Sequence, residues 1–341
     1  MKTFWKEKMR TCKIYLANKS DINNATEFYI NMIQTALEAL DIVVEKVYTL
    51  SDLKNADYVL TVDAKAAFFV RVRYPLKKII VWYQGVVPEE AYMVFGSRLR
   101  KLYWSIFEYI SLKTSCWNIF VSEAMKKHYE KKYKLSLSRG SIIPCFNKSY
   151  ISHRWNKNKP LSFVYAGSMH KWQCIEETCQ IVFELQRLEP QVSFAIYTSD
   201  REKGQEFLDK YNIDNATVDY VPLEEIEIRL SEFSYGFIIR EDCVVNNVAT
   251  PTKLNTYYSS GLVPIVSNVI NDFNLLFDGW NSILIDNKKS SADIARFILC
   301  EHNKLSSNEE KVLDSIDDVF RKYYSKEYYL SKLKNEMVDF L

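Results

Sequence analysis

Short apolar runs rich in β-branched and aromatic residues recur along the chain, separated by longer stretches with helical periodicity. Six such runs fall in the first part: KIYLAN (13–18), VVEKVYT (43–49), YVLTV (58–62), KIIVWY (78–83), NIFVS (118–122) and SIIPCF (141–146). Their length and composition predict buried strands. Between them lie TEFYINMIQTALEAL (26–40) and EAMKKHYEKKYK (123–134), whose apolar positions repeat at helical spacing. Strands alternating with helices imply βαβ units and parallel sheets covered on both faces. The polar stretch NKSYISHRWNKNKP (147–160) breaks the rhythm and reads as an interdomain linker. The pattern then restarts with LSFVYA (161–166), VSFAIY (192–197), ATVDYV (216–221), YGFIIR (235–240), LVPIVS (262–267) and SILID (282–286). From about Ala292 the chain reads as helical, and FRKYYSKEYYLSKLKNEMVDFL as one long closing helix. The expectation is an α/β protein of two doubly wound parallel-sheet domains facing a cleft. The first spans 1–150 and the second 151–318. Residues 319–341 form a closing helix that packs back towards the first domain.

Composition narrows the class. At 341 residues, 48% apolar, with Gly and Pro at 8 each, the chain can build two cores and has little room for disorder. The opening MKTFWKEKMR lacks the apolar segment of a secretory signal, and no apolar run approaches the ~20 residues of a bilayer span. Seven cysteines without a C-x-x-C pair fit reduced thiols in a cytoplasmic protein. In that compartment the sequons at Asn24, Asn147 and Asn215 carry no meaning. The net charge of +2 hides a division: residues 1–159 hold 27 Lys+Arg against 14 Asp+Glu, and residues 160–341 hold 18 against 29. A basic half of this kind suits an anionic surface.

Ligands of open parallel sheets bind outside the carboxyl ends of the strands. That rule selects Gln84, Gly85 and Pro88-Glu89-Glu90 after KIIVWY, Gly167, Ser168 and Lys171 after LSFVYA, and Arg240, Glu241 and Asp242 after YGFII. It also selects the helix opening within VATPTKLNTYYSSGLVPIVS (248–267). There Thr250-Pro251 reads as a cap and first turn, Leu254, Tyr257 and Tyr258 as the buried face, and Gly261 as the stop. Lys253 stands in the first turn, where the helix dipole disfavours a cation. An anion at that helix end, held by Lys253, Arg240 and the free N–H groups, accounts for it. No G-x-G-x-x-G, no G-x-x-x-x-G-K-[ST] and no D-x-D is present, which argues against a dinucleotide dehydrogenase, a P-loop NTPase and a metal-held diphosphate. No metal site and no cofactor is expected.

Three segments, WYQGVVPEEAY (82–92), FVYAGSMHKWQ (163–173) and REDCVVNNVATPTKLNTYYSSGLVPIVS (240–267), resemble bacterial members of glycosyltransferase family 4 that build capsule or O-antigen polysaccharides. The resemblance implies the GT-B fold of two Rossmann-like domains and a retaining, metal-independent transfer from a nucleotide-sugar donor to a lipid-linked or oligosaccharide acceptor. It implies that the donor diphosphate sits at the helix opening at Pro251 and Thr252, with Arg240 and Lys253 stabilising the leaving phosphate. Gly167, Ser168, Lys171, Glu241 and Asp242 would border the donor, and Gln84, Gly85 and Glu89 the acceptor. One departure stands out. Where the family often carries two glutamates eight apart, this chain has Val248 and Thr256, and a threonine cannot accept two ribose hydroxyls as a carboxylate does. A non-catalytic nucleotide-sugar or glycan-binding protein and a nucleotide-sugar epimerase are the alternatives. The sequence names neither sugar, base, acceptor nor linkage.

The segment around Phe95–Ile110 adds a membrane expectation. Leu99, Leu102, Tyr103, Ile106, Phe107 and Ile110 form a stripe expected to face the core. Arg98, Arg100, Lys101 and Trp104 fall on the other face, which with MKTFWKEKMR is expected to meet anionic headgroups on the inner face of the cell membrane.

Overall fold

The computed structural model describes residues 9–17 and 24–340, which divide into two compact units: the described residues up to 145 together with 326–340, and 146–325. In the first unit the elements run β1 (Arg10–Tyr15), α1 (Asn24–Glu38), β2 (Ile42–Val47), β3 (Tyr58–Thr61), α2 (Ala64–Arg73), β4 (Lys78–Tyr83), α3 (Val87–Phe95), α4 (Arg98–Thr114), β5 (Trp117–Phe120), α5 (Glu123–Tyr133) and β6 (Gly140–Ile142). All strands are parallel, in the order β2-β1-β3-β4-β5-β6. The central strands β3 and β5 are buried along their whole length, as unbroken apolar runs require. Three helices open on side-chain caps: Asp63 accepts from Ala66 N, Ser97 from Arg100 N and Ser122 from Met125 N.

The second unit repeats the plan with β7 (Ser162–Ala166), α6 (Ile175–Leu188), β8 (Ser193–Tyr197), α7 (Arg201–Lys210), β9 (Ala216–Asp219), α8 (Ile226–Leu230), β10 (Tyr235–Ile238), α9 (Val244–Asn247), α10 (Thr252–Ser259), β11 (Val263–Ser267), β12 (Ile283–Ile285), α11 (Ser291–Ser306) and α12 (Glu309–Lys322). Its parallel sheet has the order β12-β11-β10-β7-β8-β9. Pro264 is tolerated in β11 because the pairing with β12 begins only at Ile265. The polar stretch 147–160 is folded onto this unit. Asn255 of α10 accepts from the N–H groups of Asn147 and Lys148 and donates to the Lys148 carbonyl, and Ser259 O accepts from Ser152 and His153.

The last helix, α13 (Lys326–Met337), belongs to the first unit, where it packs on α1 and β6 and buries Tyr329, Leu333 and Met337. The single closing helix expected from the sequence is therefore two. It breaks over Tyr323–Ser325, where the chain leaves one unit for the other.

Helix α4 corrects a second expectation. Its stripe of Leu99, Leu102, Tyr103 and Ile106 is exposed, and only Phe107 of the expected core set is buried. The face carrying Lys101, Trp104 and Glu108 turns inward. Lys65 of α2 lies 5.3 Å from the Trp104 ring, and Lys101 reaches the buried Glu89 at 3.4 Å. Thus Trp104 does not project outward. The basic segment MKTFWKEKMR lies almost wholly outside the described residues.

Candidate functional site

In the second unit the strand order reverses between β7 and β10, so the loops leaving these two neighbours diverge at their carboxyl ends. Residues 167–173 follow β7 and Arg240 follows β10. Helix α10, in the crossover from β10 to β11, is fixed against them by packing and hydrogen bonding. Leu254, Tyr257 and Tyr258 are fully buried, and Tyr257 Oη accepts from Ala166 N at 2.9 Å. Lys253 lies four residues before Tyr257, on the same helical face, and so points at the end of β7.

There Lys253 Nζ donates to Gln173 Oε1 at 3.1 Å and lies 3.8 Å from the centroid of the Tyr165 ring. Tyr165 Oη is within hydrogen-bond distance of the Ser168 carbonyl (2.5 Å) and of Gln173 Oε1 (3.1 Å). Gly167 adopts φ +149°, and a Cβ there would come within 2.8 Å of Lys253 Nζ. Its lack of a side chain is what lets the ammonium reach the strand end.

The Arg240 backbone is locked by residues at the ends of two other strands, β11 and β12. Its N–H donates to Ser267 Oγ at 2.8 Å, Ser267 Oγ donates to Asn287 Oδ1 at 2.8 Å, and Asn287 Nδ2 donates back to the Arg240 carbonyl. The Arg240 side chain is buried, and burial lowers its pKa. Burial first, and then the charge of Arg240, hold Lys253 well below the usual lysine value. Among the described residues no carboxylate pairs with either cation. Two shielded, adjacent positive groups without a carboxylate partner among the described residues form a ready site for an anion, reinforced by the α10 N-terminus, whose cap residue Pro251 makes no side-chain hydrogen bond.

The other expected residues divide. The helix begins at Thr252 with Pro251 in the cap position, one residue later than the sequence suggested. Thr256 Oγ1 donates to the Thr252 carbonyl at 3.3 Å, turned onto its own helix. Ser168 and Lys171 are exposed. Glu241 and Asp242 are also exposed and line a cavity of about 290 Å³ with Cys174, Glu177, Asn287 and Lys289. The Cys174 thiol at its edge is pushed up to about 12, chiefly by burial. Tyr165, Gln173, Cys174 and Asn287 were not singled out by sequence reasoning. Tyr165 and Gln173 lie within the FVYAGSMHKWQ segment, and only the fold shows that they meet Lys253.

A second cavity, also about 290 Å³, lies wholly in the first unit at the carboxyl ends of β3 and β4. Gln84 and Gly85 line it as expected positions after β4, joined by Asp63, Glu90, Trp104 and Glu108. Glu89, expected to face an acceptor, is absent from the lining. It is buried in an ion cluster with Lys101, His128 and Lys132 (3.0 Å), and Lys132 also reaches the buried Glu108 at 2.7 Å. Although burial opposes it, contacts with His128 and Lys132 pull Glu89 down to about 2, so it remains a structural carboxylate. Its neighbour Glu90 occupies the cavity wall. The Glu90 carboxylate folds back over Gly85, where a Cβ would collide with it, and accepts from Val86 N at 3.0 Å. Burial raises the Glu90 pKa.

Two six-stranded parallel sheets with helices between their strands give the chain a GT-B-like fold, and solved structures share it. Solved structures similar to it include WaaG, a glycosyltransferase of lipopolysaccharide biosynthesis, at a TM-score of 0.67 and 10% identity, covering 94% of this chain and 99% of WaaG. Sucrose-phosphate synthase from Thermosynechococcus elongatus matches at 0.70 and 11%, covering 97% and 99% of the two chains. The pneumococcal O-GlcNAc transferase GtfA, solved with UDP and GlcNAc, matches at 0.63 and 14%, covering 85% of this chain. The present chain spans 58% of the length of GtfA. No protein-family model and no curated protein sequence matches it.

Proposed function

We propose that the chain is a retaining glycosyltransferase that moves a sugar from a nucleoside-diphosphate donor to a lipid-linked or oligosaccharide acceptor in bacterial surface-polysaccharide synthesis. The observation that carries this reading is the Arg240–Lys253 pair: two shielded cations without a carboxylate partner at a strand-order reversal. Residues 146–325 bind the donor, with its diphosphate against Lys253, Arg240 and the start of α10. As the bond between the anomeric carbon and the phosphate oxygen breaks, the electron pair leaves with the diphosphate. The two cations stabilise the negative charge that develops there. The acceptor oxygen bonds the anomeric carbon on the same face, and its proton passes to the departing phosphate. The similarity of the fold to WaaG and to the UDP-bound GtfA supports this assignment.

The first unit takes the acceptor in the cavity lined by Gln84, Gly85, Glu90 and Trp104, where an indole face and carboxylates suit a sugar ring and its hydroxyls. The enzyme works at an anionic membrane, on its inner face; no helix of the described residues is long and apolar enough to cross one. Thr256 favours a second reading, a protein that binds a nucleotide sugar without turning it over, because its hydroxyl is spent on its own helix. A thermal-shift screen over nucleoside diphosphates and nucleotide sugars, followed by product analysis with a membrane-extract acceptor, separates the two. Stabilisation with sugar transfer supports the transferase, and stabilisation without turnover supports the binder.

A further inference from the structure

We propose that Gln173 is a positioning residue of the donor site: its neutral amide oxygen, backed by Tyr165, holds the Lys253 ammonium without cancelling its charge. A carboxylate at 173 would close the site to a diphosphate. This role rests on the reading of residues 146–325 as the donor-binding unit. Gln173 Oε1 lies 3.1 Å from Lys253 Nζ and 3.1 Å from Tyr165 Oη. An ammonium can only donate, so the amide must turn its oxygen, not its nitrogen, towards Lys253. The Tyr165 hydroxyl stands behind that oxygen, itself tied to the Ser168 carbonyl at 2.5 Å, and its ring lies under the ammonium at 3.8 Å.

The backbone presents the amide from a stiff turn. Gln173 closes the 3₁₀ turn Lys171–Gln173, its N–H donating to the His170 carbonyl at 2.9 Å, and the His170 and Trp172 rings stack with centroids 4.5 Å apart. The next residue, Cys174, adopts φ +51°, a left-handed conformation that residues other than Gly, Asn and Asp rarely take. Backbone strained in this way persists where the surrounding structure over-determines it. The turn therefore fixes where the Gln173 side chain starts, and Lys253 and Tyr165 fix where it ends.

Charge decides what the residue type does here. Both side chains that hold Lys253 are uncharged: one is an amide, and burial pushes the Tyr165 phenol above its usual range. With Arg240 adjacent, the site keeps two positive charges for a ligand. Glutamate has the same reach as glutamine, and at 173 it would set an anionic oxygen where Oε1 now lies, 3.1 Å from the ammonium. A hydrogen bond to an ionised acceptor is roughly twice as strong as one to a neutral acceptor. That ion pair would satisfy Lys253 in the absence of ligand and leave one net positive charge where a diphosphate meets two. Glutamine does the opposite. It occupies one of the three ammonium N–H donors for orientation and leaves the others for phosphate oxygens.

Titration calorimetry and melting curves of the full chain, wild type against Gln173→Glu and Gln173→Met, test this with UDP, GDP, ADP and inorganic diphosphate. Gln173→Glu should weaken diphosphate binding by about 10–100-fold. It should also raise the ligand-free melting temperature by about 2 °C or more, because Lys253 is already buried and gains a partner. Gln173→Met keeps the length and both cations but removes the acceptor, so it should lower the melting temperature slightly and weaken binding by less than about tenfold. Stability and affinity moving in opposite directions is a signature that a purely structural side chain does not give, since damage to the turn lowers both. Affinity of Gln173→Glu within about twofold of wild type, or stability that falls together with affinity, would overturn the role of Gln173 alone. A wild type that binds no diphosphate in any form overturns both this role and the donor reading. Inorganic diphosphate that binds and responds to Gln173→Glu, with no nucleoside diphosphate binding more tightly, counts against the donor reading alone.

Discussion

Replacing Lys253 with methionine removes one positive charge while keeping most of the aliphatic volume, and the structure sets the size of each effect. Without ligand, Lys253 gains a charge-assisted hydrogen bond to Gln173, about 1.5–3 kcal/mol, and a shielded cation–π contact with Tyr165, about 2 kcal/mol. Against these stand burial of an ammonium beside Arg240, typically several kcal/mol, and the unfavourable helix dipole, about 0.3–1 kcal/mol. Burial is the larger side, as the depressed pKa shows, so Lys253→Met should leave the ligand-free melting temperature unchanged or raise it. With UDP at a hundred times its Kd the wild type gains about 2.7 kcal/mol, and loss of one charged contact should cut that gain to less than half at the same concentration. In turnover the loss should be larger, about 10²–10³ in kcat, because the diphosphate carries more charge as it departs. A pH series adds a signed check. The folded-state pKa of Lys253 is depressed, so its destabilising contribution is complete below that pKa. It lifts as pH rises from there towards the unfolded-state value, and Lys253→Met should lack this rise. Differential scanning fluorimetry with UDP, GDP and ADP, followed by steady-state transfer assays, reads all of these. Near-normal ligand shifts and kcat in both Lys253→Met and Arg240→Met would place the diphosphate elsewhere and refute the reasoning.

Further expectations follow from single residues. Gly167→Ala should weaken nucleotide binding as Lys253→Met does, because the new methyl meets the ammonium and strains a positive φ; wild-type UDP stabilisation would argue against that packing. Trp104→Ala and Glu90→Gln should raise the acceptor KM while leaving UDP stabilisation intact, whereas Glu89→Gln should chiefly affect folding. The depressed Glu89 pKa contributes stability at neutral pH, on the order of a few kcal/mol, that is lost as pH falls from about 4.5 through about 2. Acid-unfolding curves of Glu89→Gln should therefore be flatter in that window, and an unchanged curve would deny the ion cluster its role. Transfer should survive excess EDTA, since the chain has no D-x-D motif; abolition with rescue by Mn²⁺ would contradict this.

The twelve strands of the described residues could be read from the sequence because parallel strands buried on both faces are short, apolar and β-branched. Lys253 was also legible, as a cation in the first turn of a helix. What periodicity could not tell was which side of α4 would be wet. An apolar stripe identifies an amphipathic helix, but an ion cluster and a cavity can claim its polar face, and here Glu89, Lys132 and Trp104 do so. Choosing between Glu89 and Glu90 failed for a related reason. Adjacent residues at a helix start diverge by about 100°, and only the positions of Lys132 and Gly85 decide which carboxylate turns inward. Tyr165 and Gln173 meet Lys253 across some eighty to ninety residues of sequence, a separation that no local pattern records.

The return of α13 to the first unit has a consequence for how the protein is made. Lys332 reaches the Ile142 carbonyl at 3.4 Å, and Phe340 lies 4.8 Å from Trp117, so the segment that completes this sheet is synthesised only after the whole of 146–325. At ribosomal speeds of about 5–20 residues per second, the β6 side of the sheet waits roughly ten seconds or more for its cover. The second unit, contiguous in sequence, has no such delay and can fold first even though it begins later. A stop within codons 326–341 would therefore spare the half that had just been translated and cripple the half that emerged from the ribosome long before.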